Sequence, residues 1–183
     1  MMEGLNSSGS KRKPAEALHA RSDDAISEEE AAIYDRQIRL WGLDAQKRMR
    51  SAKVLLACLG GIQTEVCKNL VLAGVGSVTI YDDVNTSLSD LSAQFFLEES
   101  DVGKKVTIFH QFSKAYNFNP IQRAEAAMAK ITSLNPKVEV QYEFVNISTK
   151  DEAELKAFDV ICVSNCTQTT LVSASKLMTA FDL

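Results

Sequence analysis

Apolar positions along the chain change period several times, and each change marks an element. Ser27 followed by Glu30 forms a capping-box pair, with acidic residues favoured by the helix dipole, and predicts a helix over 28–41. Gly42 fits the left-handed position that ends it, and 43–51 reads as a second short helix. Val54 to Cys58 is then a continuous apolar run of strand length, the pattern of a strand covered on both faces of a parallel sheet. Helical spacing returns through Ile62, Val66, Leu70 and Ala73, with Gly74 as the stop, and a second strand is predicted over 77–81. Farther on come a helix over 123–134, an alternating strand over 137–144, a buried strand over 158–163 and a final helix over 169–180. No internal repeat is evident.

The order strand, glycine turn, helix, strand, with acids at Asp82 and Asp83 about twenty residues past the glycines, is that of a nucleotide-binding Rossmann start. The fold class expected is therefore α/β, a Rossmann-like parallel sheet preceded by helices. A phosphate-cradling turn needs glycines for its tight path, for backbone approach to phosphate and for close helix packing. Here the turn reads Cys58-Leu59-Gly60-Gly61-Ile62-Gln63, in which only Gly60 matches the G-x-G-x-x-G template, with Gly61 beside it. Cys58 and Gln63 bring side chains where the template has none. The plainer expectation is a strand-to-helix turn kept for the fold. Asp82 could accept a ribose hydroxyl, or be an ordinary turn acid.

Composition narrows the classes. With 183 residues and 45% hydrophobic content, the chain can bury one core, so a tail over 1–24 and one domain over 25–183 are expected. The tail is too poor in large apolar residues to offset the entropy of ordering, and is expected to be disordered. Within it, Lys11-Arg12-Lys13-Pro14 is compatible with a nuclear-import signal or with a solvated basic cluster. A net charge of -4 argues against general nucleic-acid or membrane binding, and leaves a protein or a small molecule as partner. No apolar run is long enough to span a bilayer and no signal peptide is recognisable, which places the chain in the cytosol or nucleus. Cys58, Cys67, Cys162 and Cys166 lie mostly inside apolar runs, so no disulfide framework is expected.

The stretch from Ile26 to Arg48, which contains Tyr34-Asp35-Arg36-Gln37-Ile38-Arg39-Leu40-Trp41-Gly42, closely resembles the opening of the smaller subunits of SUMO-activating enzymes. The likeness continues through Lys68-Asn69-Leu70, Leu72-Ala73-Gly74-Val75, Ala93-Gln94-Phe95, Arg123-Ala124-Glu125-Ala126 and Leu134-Asn135-Pro136. The resemblance implies a ThiF/MoeB-like adenylation fold in which two related domains pair. One holds ATP and magnesium and adenylates the modifier's C-terminal glycine, and the other is a degenerate copy. This chain resembles the degenerate copy. The family's active half carries an Asn-Leu-x-Arg-Gln signature, whereas the matching positions here are Asp90 and Ala93, with only Leu91 and Gln94 kept. Cys166 stands where the active half has its magnesium aspartate, and a neutral thiol is a poor ligand for a hard cation. ATP, magnesium and SUMO chemistry are therefore expected on a partner catalytic subunit, with no cofactor or metal held by this chain and no activity alone. Arg36 matches the arginine that the family inserts into the partner's nucleotide site; Arg39 shares its helical face and could support it, or form a surface ion pair. The thioester-forming cysteine of the family resides in the partner, so Cys162 and Cys166 are assigned no role. Action in the nucleus, and in the cytoplasm, is what the resemblance implies.

Two departures from the family stand out. Between Gly103 and Arg123 the family has about two residues, and removing Val106 to Gln122 leaves Val-Gly-Lys-Lys-Arg-Ala-Glu-Ala, close to its pattern. Residues 106–122 read as an insertion: a translated intron, given that valine codons can begin with GT and glutamine codons can end in AG, or a surface loop, which closure entropy tolerates. The chain also stops at Leu183, roughly half-way through the family's usual extent, so strands that complete the sheet and partner interface are expected to be missing. A truncated product that is non-functional or limited to interactions, or the equivalent subunit for another ubiquitin-like modifier, are the alternatives.

Overall fold

The computed structural model describes residues 26–102, 121–165, 167, 168, 172 and 175. Its centre is a four-stranded parallel sheet in the order β3-β2-β1-β4, built from β1 (Lys53–Ala57), β2 (Ser77–Tyr81), β3 (Glu139–Glu143) and β4 (Val160–Val163). From β1 the chain adds strands first on one side and then returns to the other. That reversal between β1 and β4 is where a doubly wound sheet opens a crevice at its carboxyl ends.

β1 is the most deeply buried strand because both faces are covered, as its unbroken apolar run predicts. Val54 and Leu56 join the larger core with Cys67 and Val71 of α4 (Gly61–Ala73) and Ala124, Ala127 and Ile131 of α5 (Arg123–Leu134). Leu55 and Ala57 point the other way, against Tyr81, Ile147, and Leu155 of α6 (Glu152–Leu155). Phe158 meets the Tyr81 ring edge-on at 6.2 Å, and Lys150 Nζ lies 5.0 Å from the centre of the same ring. Edge strand β3 alternates exposed and half-buried residues, with Glu139, Gln141 and Glu143 outermost, a charged edge that discourages further pairing.

At the amino end the predicted single helix over 28–41 is two helices, α1 (Glu28–Ile33) and α2 (Asp35–Trp41). The capping box forms, with Ser27 Oγ accepting the Glu30 N–H. The break falls at Tyr34, whose φ of -100° and ψ of 15° leave the helical region. Its ring turns inward to a buried site while its neighbours stay on the surface. Gly42 has φ 86° but ψ 162°, so it ends α2 with a positive φ and an extended ψ, not with the full left-handed turn expected. α3 (Leu43–Ser51) follows as predicted. Gly74, at φ 78° and ψ 46°, does take the left-handed cap. β1 is shifted one residue toward the amino end of its apolar run, and β3 and β4 are one to two residues shorter at one or both ends than their patterns suggested.

The tail, the basic cluster at 11–14, Cys166, most of the predicted last helix and residues 106–120 of the insertion lie outside the described residues. Gln168, Val172 and Ser175 are helical. Ile121 and Gln122 are integrated in the fold: Ile121 O accepts the Thr86 N–H at 3.0 Å, and Gln122 forms an antiparallel bridge with Asn85. No helix of the described residues is long and apolar enough to cross a membrane.

Candidate functional site

The glycine turn sits at the carboxyl end of β1, beside the switch point. Cys58 carries φ 65°, the conformation that a template glycine adopts without a Cβ penalty, at a strain of about 1–2 kcal/mol for an L side chain. Gly60 N–H donates to Cys58 O at 2.7 Å, and Gly60 then caps α4. Gly61 is needed for close approach, since a Cβ there would lie 2.8 Å from Ala93 Cβ. Gln63, at the template's third glycine, is buried, and its Oε1 has no hydrogen-bond partner among the described residues.

Asp82 is not available to a ribose. Its carboxylate is fully buried and every acceptor position is taken. Oδ2 accepts the Leu59 N–H at 3.0 Å and Arg123 Nε at 2.8 Å; Oδ1 accepts the Val84 N–H and Arg123 Nη2, both at 3.1 Å. Arg123 Nη1 continues to Asp90 Oδ1 at 2.8 Å, and Asp90 Oδ2 accepts both the N–H and the hydroxyl of Ser87. Burial alone would raise the Asp90 carboxyl, but the bonds from Ser87 and Arg123 outweigh it and hold it below the usual range. For Arg123 burial works against the charge, and Asp82 and Asp90 overcome it, so its pKa is raised. Gln94 closes the opposite side of the turn by donating from Nε2 to Leu59 O at 3.1 Å. Both backbone polar groups of Leu59 are thereby held by side chains.

Sequence reasoning placed Asp82, Asp90 and Gln94 but gave Arg123 no role beyond opening a helix. The signal was a charged residue at the first position of a helix whose next apolar residues are core, which is where a buried guanidinium can reach carboxylates on an adjacent loop. The groove left outside the turn, bounded by Gly60, Gly61, Ile62, Ser164 and Asn165, is about 220 Å³, below the ~300–1,000 Å³ of small-molecule pockets. Ile62 stands exposed at its mouth. A larger cavity of about 400 Å³, lined in part by Tyr34, Gln46 and Lys137, lies at the amino ends of the strands, away from the switch point. Among the described residues no cluster of three or more His, Cys, Asp or Glu could hold a metal ion.

Arg36 lies elsewhere. It is exposed on α2 and has no carboxylate partner among the described residues. The adjacent Tyr34 packs against Gly74 at the far end of α4, and 13 helical residues at about 1.5 Å each put roughly 20 Å between that point and the glycine turn. Arg39 takes the plainer of its two expected roles, donating from Nε to Asp35 Oδ1 at 2.9 Å in an exposed pair one turn back. The two predicted groups, Arg36 with Arg39 and Gly60 with Gly61 and Asp82, are therefore at opposite ends of the domain.

A parallel sheet with this switch point and an eroded glycine turn narrows the fold, and comparison decides it: the ThiF family model matches residues 34–177. The chain belongs to the ThiF family. Among curated ThiF relatives, SUMO-activating enzyme subunit 1 of Xenopus tropicalis is 41% identical over 152 residues, covering 83% of this chain and 39% of that protein. The human subunit 1 is 40% identical over the same coverage. The DNA damage tolerance protein RHC31 of Saccharomyces cerevisiae is 39% identical over 75% of this chain and 35% of its own length. The chain thus spans about two fifths of the length of these relatives. Solved structures agree on the ThiF fold: PaaA superposes with TM-score 0.64 at 22% identity over 91% of this chain and 48% of its own. The E. coli tRNA N6-threonylcarbamoyladenosine dehydratase TcdA gives 0.67 at 15% identity over 85% and 59%.

Proposed function

We propose that this chain is the supporting subunit of a heterodimeric SUMO-activating enzyme, promoting ATP-dependent adenylation of SUMO in a catalytic partner. The observation that carries this is the placement of Arg36: exposed, without an ion pair among the described residues, and remote from the chain's own glycine turn. An arginine so placed can serve a nucleotide only on another subunit. Leu40 and Trp41 on α2, with Ile33 at the end of α1 and Leu43 at the start of α3, are exposed, an apolar margin suited to a protein partner. ATP and magnesium belong to the partner in this reading, and the names of the relatives support SUMO as the modifier; the nucleus and cytoplasm as the place of action are part of the proposal. Chemically, a guanidinium supplied in trans neutralises charge on the polyphosphate and binds its oxygens in a bidentate way.

The test is ATP–pyrophosphate exchange by the catalytic subunit with magnesium and SUMO, with and without this chain, for wild type and Arg36→Ala. Exchange should require the chain and fall at least tenfold with the alanine, since a trans arginine is worth about 10³–10⁵ in rate at the extreme. Stimulation that survives the alanine undiminished would remove Arg36 from the mechanism. No stimulation at all would favour a product that retains the fold and interactions only.

A further inference from the structure

Helix α2, which carries Arg36, contains no fully buried residue and rests on half-buried Asp35, Gln37 and Ile38, so its direction depends strongly on its flanks. Tyr34, at the break immediately before it, is buried, whereas Arg36 two residues on is exposed. The Tyr34 hydroxyl accepts Asn135 Nδ2 at 2.7 Å. The same amide nitrogen donates to Val71 O at 2.9 Å, while Asn135 Oδ1 accepts the Lys137 N–H at 3.2 Å. Both N–H donors of the Asn135 amide are therefore used, and the residue ties the end of α5 and the last turn of α4 to the break between α1 and α2. On the other flank, Gln46 of α3 is buried and donates from Nε2 to Ala73 O at 3.2 Å, next to the Gly74 against which Tyr34 packs. The two flanks of α2 are thus pinned to adjacent residues, Tyr34 to Gly74 and Gln46 to Ala73.

We infer that Tyr34 is a positioning residue for Arg36, its hydroxyl bond to Asn135 setting the direction of α2 and so the reach of the arginine. This rests on the reading that Arg36 acts in trans. A hydroxyl is required for the bond, whereas the ring alone suffices for packing, so Tyr34→Phe separates the two.

The experiment is a double-mutant cycle in the assembled heterodimer, with ATP–pyrophosphate exchange measured for wild type, Tyr34→Phe, Arg36→Ala and the double variant. Loss of one buried hydrogen bond predicts a decrease of about three- to tenfold for Tyr34→Phe in the presence of Arg36, at saturating ATP and with heterodimer affinity unchanged. In the Arg36→Ala background the same substitution should change exchange by less than about twofold, because a group that acts through Arg36 has nothing left to position. Equal losses in both backgrounds would show a general structural role and overturn the inference. So would full exchange by Tyr34→Phe. If Arg36→Ala itself has no effect, Arg36 leaves the mechanism and the inference is overturned with that part of the proposed function. Asn135→Ala, which removes the donor from the other side, should couple to Arg36 in the same sense and carries the cycle if Tyr34→Phe does not assemble.

Discussion

Replacement of Arg123 by methionine tests the account of the glycine turn most directly. Methionine approximates the length of the arginine stem, so packing against the core changes little, but three charge-assisted bonds disappear: two to Asp82 and one to Asp90. Asp82 is then left fully buried with two backbone N–H donors and no cation. Removing one partner of a buried pair costs about 3–5 kcal/mol, against a total stability of about 5–15 kcal/mol for an ordinary domain. At a urea slope near 2 kcal/mol per molar, the midpoint of the full chain should fall by about 1.5–2.5 M, followed by far-UV circular dichroism. Adding Asp82→Asn removes the stranded charge and should restore part of the loss, though not all, because Leu59 and Val84 N–H groups still compete for one amide oxygen. A single variant that loses less than about 1 kcal/mol would refute the network as described, as would a double variant weaker than the single.

Three further outcomes follow from the same geometry. Gly74→Ala forces a side chain into a left-handed residue and into the Tyr34 ring, and should cost about 2–4 kcal/mol in denaturant titration. Because the Asp90 carboxyl is held below its unfolded value near pH 4, its contribution is complete above that value and lost as pH falls through the lower folded pKa. The difference in thermal midpoint between wild type and Asp90→Asn should therefore narrow below about pH 4 and stay constant from pH 5 to 7. Burial pushes the Cys67 thiol up to about 12, so at pH 8 a thiol reagent followed by mass spectrometry should modify Cys67 only on unfolding; labelling of the native chain at the unfolded rate would contradict its burial.

Much of the fold was legible because its periods are unmixed. The buried run at 54–58, the 3.6-residue spacing from Ile62 to Ala73 and the two glycine stops fixed β1, α4 and β2 within one or two residues. The break at Tyr34 was not legible, since the sequence from Glu28 to Trp41 is uniformly compatible with helix and only the distant Gly74 and Asn135 draw the ring inward. The same holds at the turn. Asp82 was recognised as an acid at a strand end, but its partner Arg123 stands 41 positions on, and charge pairing at that separation leaves no local pattern. The Arg39–Asp35 pair, by contrast, has an i, i+4 spacing that is visible in sequence.

The sheet order also sets a sequence of events during synthesis. β2 can pair with β1 as soon as some twenty more residues exist, whereas β4 must wait: Lys53 N–H and Asp159, which bond at the start of that second pairing, are 106 residues apart. At roughly 5–20 residues per second the flank of β1 stays open for several seconds, and closing the longer loop costs only about 1 kcal/mol more than closing the shorter one. The delay is thus set by translation and not by entropy. Every residue placed between β2 and β4, those of 106–122 included, lengthens the time in which another strand could take the place reserved for β4.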